Sequence, residues 1–283
     1  MLKIGPAVLI PLVVVLAGIT PGLGQTPPSA ESRHAVMTIY AASRAPRTHH
    51  QPDYGGITFY GRERSHGGGT VRANTLQAPE EALKAFKAAR QAMAREGGPN
   101  LKKAAKKLDK ALEIYPQFAA AWNLRGAVYA GKGQLDDARA AFHKAIEHDP
   151  SAPSGHWSLA MLEIRQQEWF RASLATTRLL ELAPDDPAVR FYHGLVCYYR
   201  GYWEAAELHL SQVADGPHVD AFPLSRFFLA NSHAQQGDFD LASEHFRGFL
   251  RGSDKRLVST DLRRRIEARL SQWEDEGRLN SRP

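Results

Sequence analysis

The sequence predicts an all-α protein built as a solenoid of stacked helical hairpins. Alanines recur at evenly spaced positions 104, 138, 172 and 206, and prolines recur with the same period at 116, 150 and 184. A fixed period of this length is typical of helical repeat proteins, in which each repeat packs only on its neighbours. The period then lengthens coherently, because Gly194 to Ala230 and Ala206 to Ala242 are both two positions longer than the earlier steps. We therefore expect a two-residue insertion near 214–223 in an otherwise continuous array.

Residues 1–24 are predicted to be a secretory signal peptide. Lys3 precedes an apolar run at 4–19, and small residues before Gln25 offer a cleavage site near Gly24, with a second site after Ala30 as an alternative. The apolar run is short for a membrane span and contains two prolines, so we expect no stable membrane span after cleavage. The sequence thus predicts an exported protein, periplasmic or secreted. The general character of the sequence suggests a bacterial source.

The next segment, 25–78, is predicted to be a mostly disordered linker. It is rich in Pro, Gly, Ser, Arg and His and shows no sustained helical period. Two stretches, 35–41 and 56–60, alternate weakly between apolar and polar residues, which is typical of a hairpin or of a segment lying along the array. The spacing of His49, His50, Asp53 and His66 matches no closed zinc site, so we expect no metal.

The array itself is predicted to span 79–251 as five hairpins, at 79–115, 116–149, 150–183, 184–216 and 217–251. Its clearest unit, 119–150, alternates large and small residues at fixed offsets. Small residues let two helices approach closely, aromatic residues fill the gaps, and proline ends the unit. The residues that carry this pattern through the array are Trp122, Gly126, Tyr129, Ala138, Phe142, Ala145, Pro150, Ala172, Pro184, Gly194, Ala206 and Ala242.

This unit resembles the tetratricopeptide repeat (TPR) family. The resemblance implies a right-handed α-solenoid of about five TPR hairpins, in which the first helix of each hairpin lines a concave groove that binds a partner protein or an extended peptide. The groove residues it implies are Asn123, Trp157, Met161, Ile164, Arg165, Phe191, Leu195, Tyr198, Phe227 and Asn231, with Ala127 beside them. Two interpretations stay open for this apolar set: anchors for a bound segment, or packing between hairpins. The family's polar groove for a terminal carboxylate is not matched, because Trp157, Phe191 and Leu195 replace polar residues there.

Residues 252–283 are predicted to form a C-terminal capping helix and a tail. Apolar residues at 258, 262, 266, 270 and 273 form one stripe, and Ser259 is a suitable N-cap. Arg263, Arg264 and Arg269 are predicted to lie on the opposite side. Such a helix covers the core face that an open solenoid end exposes.

We find no catalytic motif, so neither an enzyme nor a cofactor is expected. The single Cys197 is interpreted as a buried apolar residue, the twelve histidines are scattered, and the pairs Asp136–Asp137 and Asp185–Asp186 are interpreted as helix caps.

The formal net charge is +6, whereas 116–251 carries −4, and the basic run at 102–110 is interpreted as a solvated helix face. We therefore expect a protein or peptide partner and no nucleic acid. One alternative is a structural scaffold or assembly component of the cell envelope that acts through its outer face and basic ends. Another is an enzymatic or carbohydrate-binding activity within 25–78.

Overall fold

The computed structural model describes residues 77–94, 98–252 and 258–279, which form eleven α-helices and no β-strand. The predicted signal peptide, the linker up to residue 76 and the four residues considered for a metal lie outside the described residues. The helices are α1 (Glu80–Met93), α2 (Leu101–Ile114), α3 (Ala119–Gly131), α4 (Leu135–His148), α5 (Pro153–Arg165), α6 (Trp169–Leu182), α7 (Pro187–Tyr199), α8 (Trp203–Ala214), α9 (Leu224–Gln236), α10 (Phe239–Gly252) and α11 (Thr260–Asp275).

The first ten helices form five hairpins that stack in chain order. Helices α1 and α2, α3 and α4, α5 and α6, α7 and α8, and α9 and α10 pair most extensively. The second helix of each hairpin also packs on the first helix of the next, and the first helices α3 and α5 touch each other, as do α7 and α9. The predicted all-helical solenoid is therefore confirmed, and its right-handed course stays a prediction.

Close helix approach explains the periodic glycines of the first helices. A Cβ added to Gly126 would overlap the Phe142 ring, and one added to Gly194 would lie 2.8 Å from Leu210. Both positions are well inside van der Waals contact, so each glycine lets a large buried side chain of the partner helix reach its backbone.

A side-chain hydrogen bond recurs with the same period at the start of three consecutive hairpins. In each, a side-chain nitrogen on the first helix hydrogen-bonds the carbonyl of the proline six residues earlier. The residue types differ although the bond is the same. The pairs are Trp122 Nε1 with Pro116 (2.7 Å), His156 Nε2 with Pro150 (3.1 Å) and Arg190 Nε with Pro184 (2.5 Å).

The turns between paired helices share a left-handed residue. It is a glycine at positions 133, 201 and 237, with φ of 77°, 79° and 84°. The equivalent residue of the third hairpin is Gln167, which has a φ of 59° and is the one non-glycine residue with positive φ in the described part of the chain. The turn geometry is thus kept where the sequence lacks the glycine that favours it.

Three helices start with the side-chain caps that the sequence suggests. Asn100 accepts a hydrogen bond from the Lys103 amide (2.9 Å), Asp186 from Ala188 (2.8 Å), and Ser259 from Leu262 (3.1 Å). The capping interpretation of Asp136 and Asp137 is wrong. Both lie inside the first turn of α4, whose N-cap is Gln134. Their negative charges interact favourably with the positive end of the helix dipole there.

The insertion before the fifth hairpin forms a short 3₁₀ turn, Val219–Ala221. It is followed by Phe222, whose ring stacks on Phe191 at a centroid distance of 5.3 Å. At the far end α11 packs on α10, with Trp273 against Phe239 and Phe246. The predicted apolar stripe is buried: Val258 just before α11, and Leu262, Ile266, Leu270 and Trp273 on it.

Candidate functional site

The residues predicted for the groove lie on the first helices at equivalent repeat positions. One row runs from α3 to α9 through Asn123, Trp157, Phe191 and Phe227, each one repeat beyond the last. A parallel row joins α5, α7 and α9 through Met161, Leu195 and Asn231. Equivalent positions on stacked repeats face the same way, so these rows follow one face of the array. We call this set, with Ile164, Arg165 and Tyr198, the concave face, after the groove that the TPR resemblance implies; its concavity stays a prediction.

Most of the concave face is buried. Trp157 is 3% exposed, Phe191 is fully buried and Phe227 is 5% exposed. Trp157 meets Tyr192 edge to face at 5.2 Å, and Phe227 lies 5.5 Å from Phe249. These contacts support the packing interpretation for the rings, and their role as anchors for a partner stays a prediction.

Tyr198 is a buried phenol among other rings. Its ring lies 5.4 Å from Trp203 and 5.1 Å from Phe228, both edge to face. Burial raises the pKa of Tyr198 to about 12, against a smaller lowering by Arg269. The hydroxyl therefore stays neutral at physiological pH, where it is a hydrogen-bonding group and not a base.

Of the polar residues at the concave face, Asn123, Arg165 and Asn231 were predicted from sequence, and Arg269 was missed. Arg269 does not lie on the solvent side of α11 as predicted; it is half-buried, and its Nη1 donates to Asn231 Oδ1 at 3.2 Å. Burial lowers the pKa of Arg269, and Tyr198 partly counteracts this. A helix rotation of one position separates the two placements, which a sequence cannot resolve. At the other end Arg165 is exposed, and Asn123 is half-buried with no hydrogen-bond partner for its Oδ1 in the described residues.

Exposed apolar side chains lie on the second helices of the hairpins and at their starts, a set that sequence reasoning missed and that we call the outer face. Phe170 is 64% exposed on α6, and Tyr202 is 48% exposed before α8. Arg200 lies over both rings, at 5.4 and 4.6 Å, and donates to the Tyr202 hydroxyl at 3.0 Å. Leu174 and Leu208, one repeat apart on α6 and α8, are 60% and 57% exposed. The equivalent repeat positions of Leu174 and Leu208 are the sequence signal that could have indicated this exposed set.

A cleft of about 490 Å³ lies between α2, α3 and α4, and both of its cations contact neighbouring side chains. Arg125 forms an ion pair with Asp109 and donates to the Tyr129 hydroxyl at 3.0 Å. Lys144 lies 4.3 Å above the Trp122 ring. These internal contacts satisfy the cations that line the cleft.

The titratable groups of the described residues include one buried thiol and two histidine pairs. No three His, Cys, Asp or Glu side chains there lie close enough together to hold a metal ion. Burial raises the pKa of the Cys197 thiol to about 11, so it remains protonated. Four of the histidines that are scattered in the sequence form two pairs, one within the fourth hairpin and one within the fifth. The ring centroids of His193 and His209 are 4.7 Å apart, and those of His233 and His245 are 5.4 Å apart. No helix in the described ranges is both long and apolar enough to cross a membrane.

Comparison with known proteins identifies the repeat. Residues 119–152 match the tetratricopeptide repeat family model. Over 130 residues the chain is 31% identical to the cytochrome c-type biogenesis protein CycH of Rhizobium meliloti (strain 1021), a match that covers 45% of this chain and 33% of CycH. Over 97 residues it is 32% identical to a TPR repeat-containing protein of Methanocaldococcus jannaschii, covering 34% of this chain and 27% of the relative.

Solved structures agree with this at the level of the fold. The crystal structure of YrrB, described as a TPR protein with an unusual peptide-binding site, superposes with a TM-score of 0.55 at 20% identity, covering 66% of this chain and 95% of YrrB. The array therefore has the TPR fold. The matched part of the chain spans only about a third of the two curated relatives, and none of these similarities indicates an enzyme family.

Proposed function

We propose that this tetratricopeptide-repeat chain is a non-catalytic module that binds a partner protein or an extended peptide on its concave face. The observation that carries the proposal is the row of aromatic rings, Trp157, Phe191 and Phe227, on successive first helices. Trp157 and Phe227 are 3% and 5% exposed and Phe191 is fully buried, so the rings hold this face rigid and contribute little contact area themselves. The peptide-binding description of YrrB, which shares the fold, makes peptide binding a reasonable use of this one.

The rings form the floor of the proposed site, and polar residues form its edges. Arg165 is exposed at the end of α5, and the bonded pair Asn231–Arg269 closes the far end. A bound segment would place apolar side chains along the floor, with a carboxylate near Arg165. The buried rings themselves are poor positions for mutational tests, because Trp157→Ala would cost about 3–5 kcal/mol of stability by leaving a cavity.

Photo-crosslinking from an exposed position tests the proposal without that loss. A benzophenone side chain replaces Arg165 on the concave side, and a matched one replaces Leu208 on the outer side. We expect one partner protein to be crosslinked from 165 and not from 208, and the purified partner to reproduce this pattern. Crosslinking of that partner from 208 alone would contradict the concave site.

A second candidate function is a scaffold or assembly component of the cell envelope that docks through the outer face. It is favoured by the exposed Phe170, Tyr202 and Leu208, since large exposed apolar side chains commonly mark interaction sites. The partial similarity to a cytochrome c-type biogenesis protein is consistent with an assembly role. The crosslinking pattern reversed, from 208 and not from 165, would select this function.

We also propose that the protein is exported and that residues 1–24 are removed near Gly24. The support is the order of a positive charge, an apolar run and small residues in that segment. Intact mass measurement of the protein recovered from an envelope fraction tests this. A mass that includes positions 1–24 would contradict cleavage.

A further inference from the structure

The second helix of the first hairpin, α2, carries five lysines on one side. At about 100° per residue they lie within an arc of about 140°, and the buried residues of the helix lie opposite. The five are Lys102, Lys103, Lys106, Lys107 and Lys110. Lys107 is half-buried and the other four are exposed. None of the five is among the ion-paired cations of the described residues. We call this set the lysine face.

The repeat fold does not require lysine at these positions. One repeat further along, on α4, the positions equivalent to Lys102 and Lys103 hold Asp136 and Asp137. Cations three and four positions apart on a helix repel each other and destabilise it. The lysine face is therefore not needed for packing and is opposed by helix stability, so an external anionic ligand accounts for it better than the fold does.

Charge is separated along the array. The described residues of the first hairpin contain eight Lys and Arg against four Asp and Glu, a net charge of +4. Asp109, one of the two carboxylates on α2, is ion-paired with Arg125 of α3. Residues 116–251 contain twelve Lys and Arg against sixteen Asp and Glu, a net charge of −4. An extended anionic surface therefore attracts the first hairpin and repels the repeats beyond it, which orients the array.

We propose that the lysine face binds the surface of an anionic phospholipid bilayer and docks this end of the array on it. This site is separate from the concave face, and it adds a second kind of ligand to the partner proposed there. The lysines bind at the headgroups without insertion, because the apolar side of α2 is already packed within the array.

The exposed residues of α2 favour a bilayer over a protein or a nucleic acid. All of them are charged, so the helix lacks the apolar side chains that form the core of a protein interface. They include neither an arginine nor an aromatic ring, the groups on which bases stack. Ammonium groups act as point charges, and mobile anionic headgroups can gather beneath them.

The expected strength follows from the number of lysines. Each lysine held near an anionic bilayer surface strengthens binding about fivefold, so removing three weakens it about a hundredfold. The attraction is screened by salt, because the Debye length falls from about 10 Å at 0.1 M to about 3 Å at 1 M.

Vesicle co-sedimentation tests the proposal with chain 25–283, because the apolar run at 4–19 would itself enter lipid. The vesicles are phosphatidylcholine alone, or phosphatidylcholine mixed equally with phosphatidylglycerol. The lysine variant is Lys102→Gln/Lys106→Gln/Lys110→Gln. A matched control removes three exposed cations from other hairpins and is Lys132→Gln/Arg171→Gln/Arg251→Gln. Circular dichroism checks that both variants keep their helicity.

We expect the natural chain to bind the anionic vesicles, to bind phosphatidylcholine at least about tenfold more weakly, and to be released at high salt. The lysine variant should lose about a hundredfold in affinity, and the control only a few-fold. The proposal is overturned by no binding to the anionic vesicles, by equal binding to both kinds of vesicle, or by equal losses in the two variants. Tighter binding to duplex DNA at the same phosphate concentration would overturn it too, by making nucleic acid the ligand.

Discussion

At the scale of single residues, the buried carboxylate of Glu163 has Arg139 as its ion-pair partner. Its side chain is 1% exposed on α5, and both of its oxygens accept hydrogen bonds from Arg139 of α4, at 2.6 and 3.2 Å. Arg139 is 21% exposed and also donates to the exposed Asp136 at 2.7 Å. A buried carboxylate left without its cation is strongly destabilising, whereas an exposed ion pair contributes little. The bond ties the second hairpin to the third, so its loss acts on the interface between repeats.

We predict that Arg139→Ala lowers the free energy of unfolding by about 2–4 kcal/mol, because it leaves the Glu163 carboxylate buried without a partner. The matched control is Arg178→Ala, which breaks the exposed pair with Glu181 and is expected to cost less than about 1 kcal/mol. Urea denaturation measures both. Equal losses for the two variants would show that the Glu163 pair behaves as a solvated one.

Among the elements, the turn between α5 and α6 differs from its counterparts. The left-handed conformation costs a non-glycine residue about 1–2 kcal/mol, and glycine at the same place loses about 0.5–1 kcal/mol more backbone entropy on folding. We predict that Gln167→Gly raises the free energy of unfolding by about 0.5–1 kcal/mol. The reciprocal change, Gly201→Gln, should lower it by a similar amount. Urea unfolding midpoints report both, and a destabilised Gln167→Gly variant would mean that the glutamine side chain contributes contacts that outweigh the strain.

The ends of the elements can be predicted from sequence better than their contacts. Asn100 and Ser259 are recognisable as caps because a cap depends on residues three positions away. The pairing of His193 with His209 depends on a residue sixteen positions away on the opposite helix of its hairpin, and the burial of Arg269 depends on the rotation of α11. The repeat period fixes which positions are equivalent and leaves open which of them face solvent. The rings of the first helices can therefore be assigned to equivalent positions from sequence, while their burial cannot be predicted.

In the whole molecule, stability is close to a sum over the repeats and their interfaces, so a change within one hairpin is felt by the array. The fourth and fifth hairpins each hold a histidine pair, and His209 and His245 occupy equivalent positions one repeat apart. Burial, with a smaller effect of His209, lowers the pKa of His193 to about 4. Burial likewise lowers the pKa of His209, helped by Arg190, and the pKa of His245, helped by His233.

These shifts give the array an acid-sensitive stability. The unfolded chain takes up a proton on His193 near pH 6.5, and the folded chain does so only near pH 4, so the unfolded state binds more protons between these values. The stabilisation is complete above about pH 6.5 and is lost as the pH falls towards 4. For His193 alone we predict a loss of about 2 kcal/mol between pH 7.5 and 5. For His245, the carboxylates of Asp215 and Glu244 partly counteract the lowering of the pKa.

Urea unfolding at pH 7.5 and at pH 5 measures this loss. His193→Gln keeps a hydrogen-bonding group near the Thr176 hydroxyl, which His193 Nδ1 contacts at 3.1 Å, and removes the titration. The variant should therefore lose about 2 kcal/mol less than the natural chain between the two pH values. The exposed His143→Gln variant is the matched control and should follow the natural chain. If His193→Gln also follows the natural chain, His193 titrates alike in the folded and unfolded states and contributes nothing to the acid sensitivity.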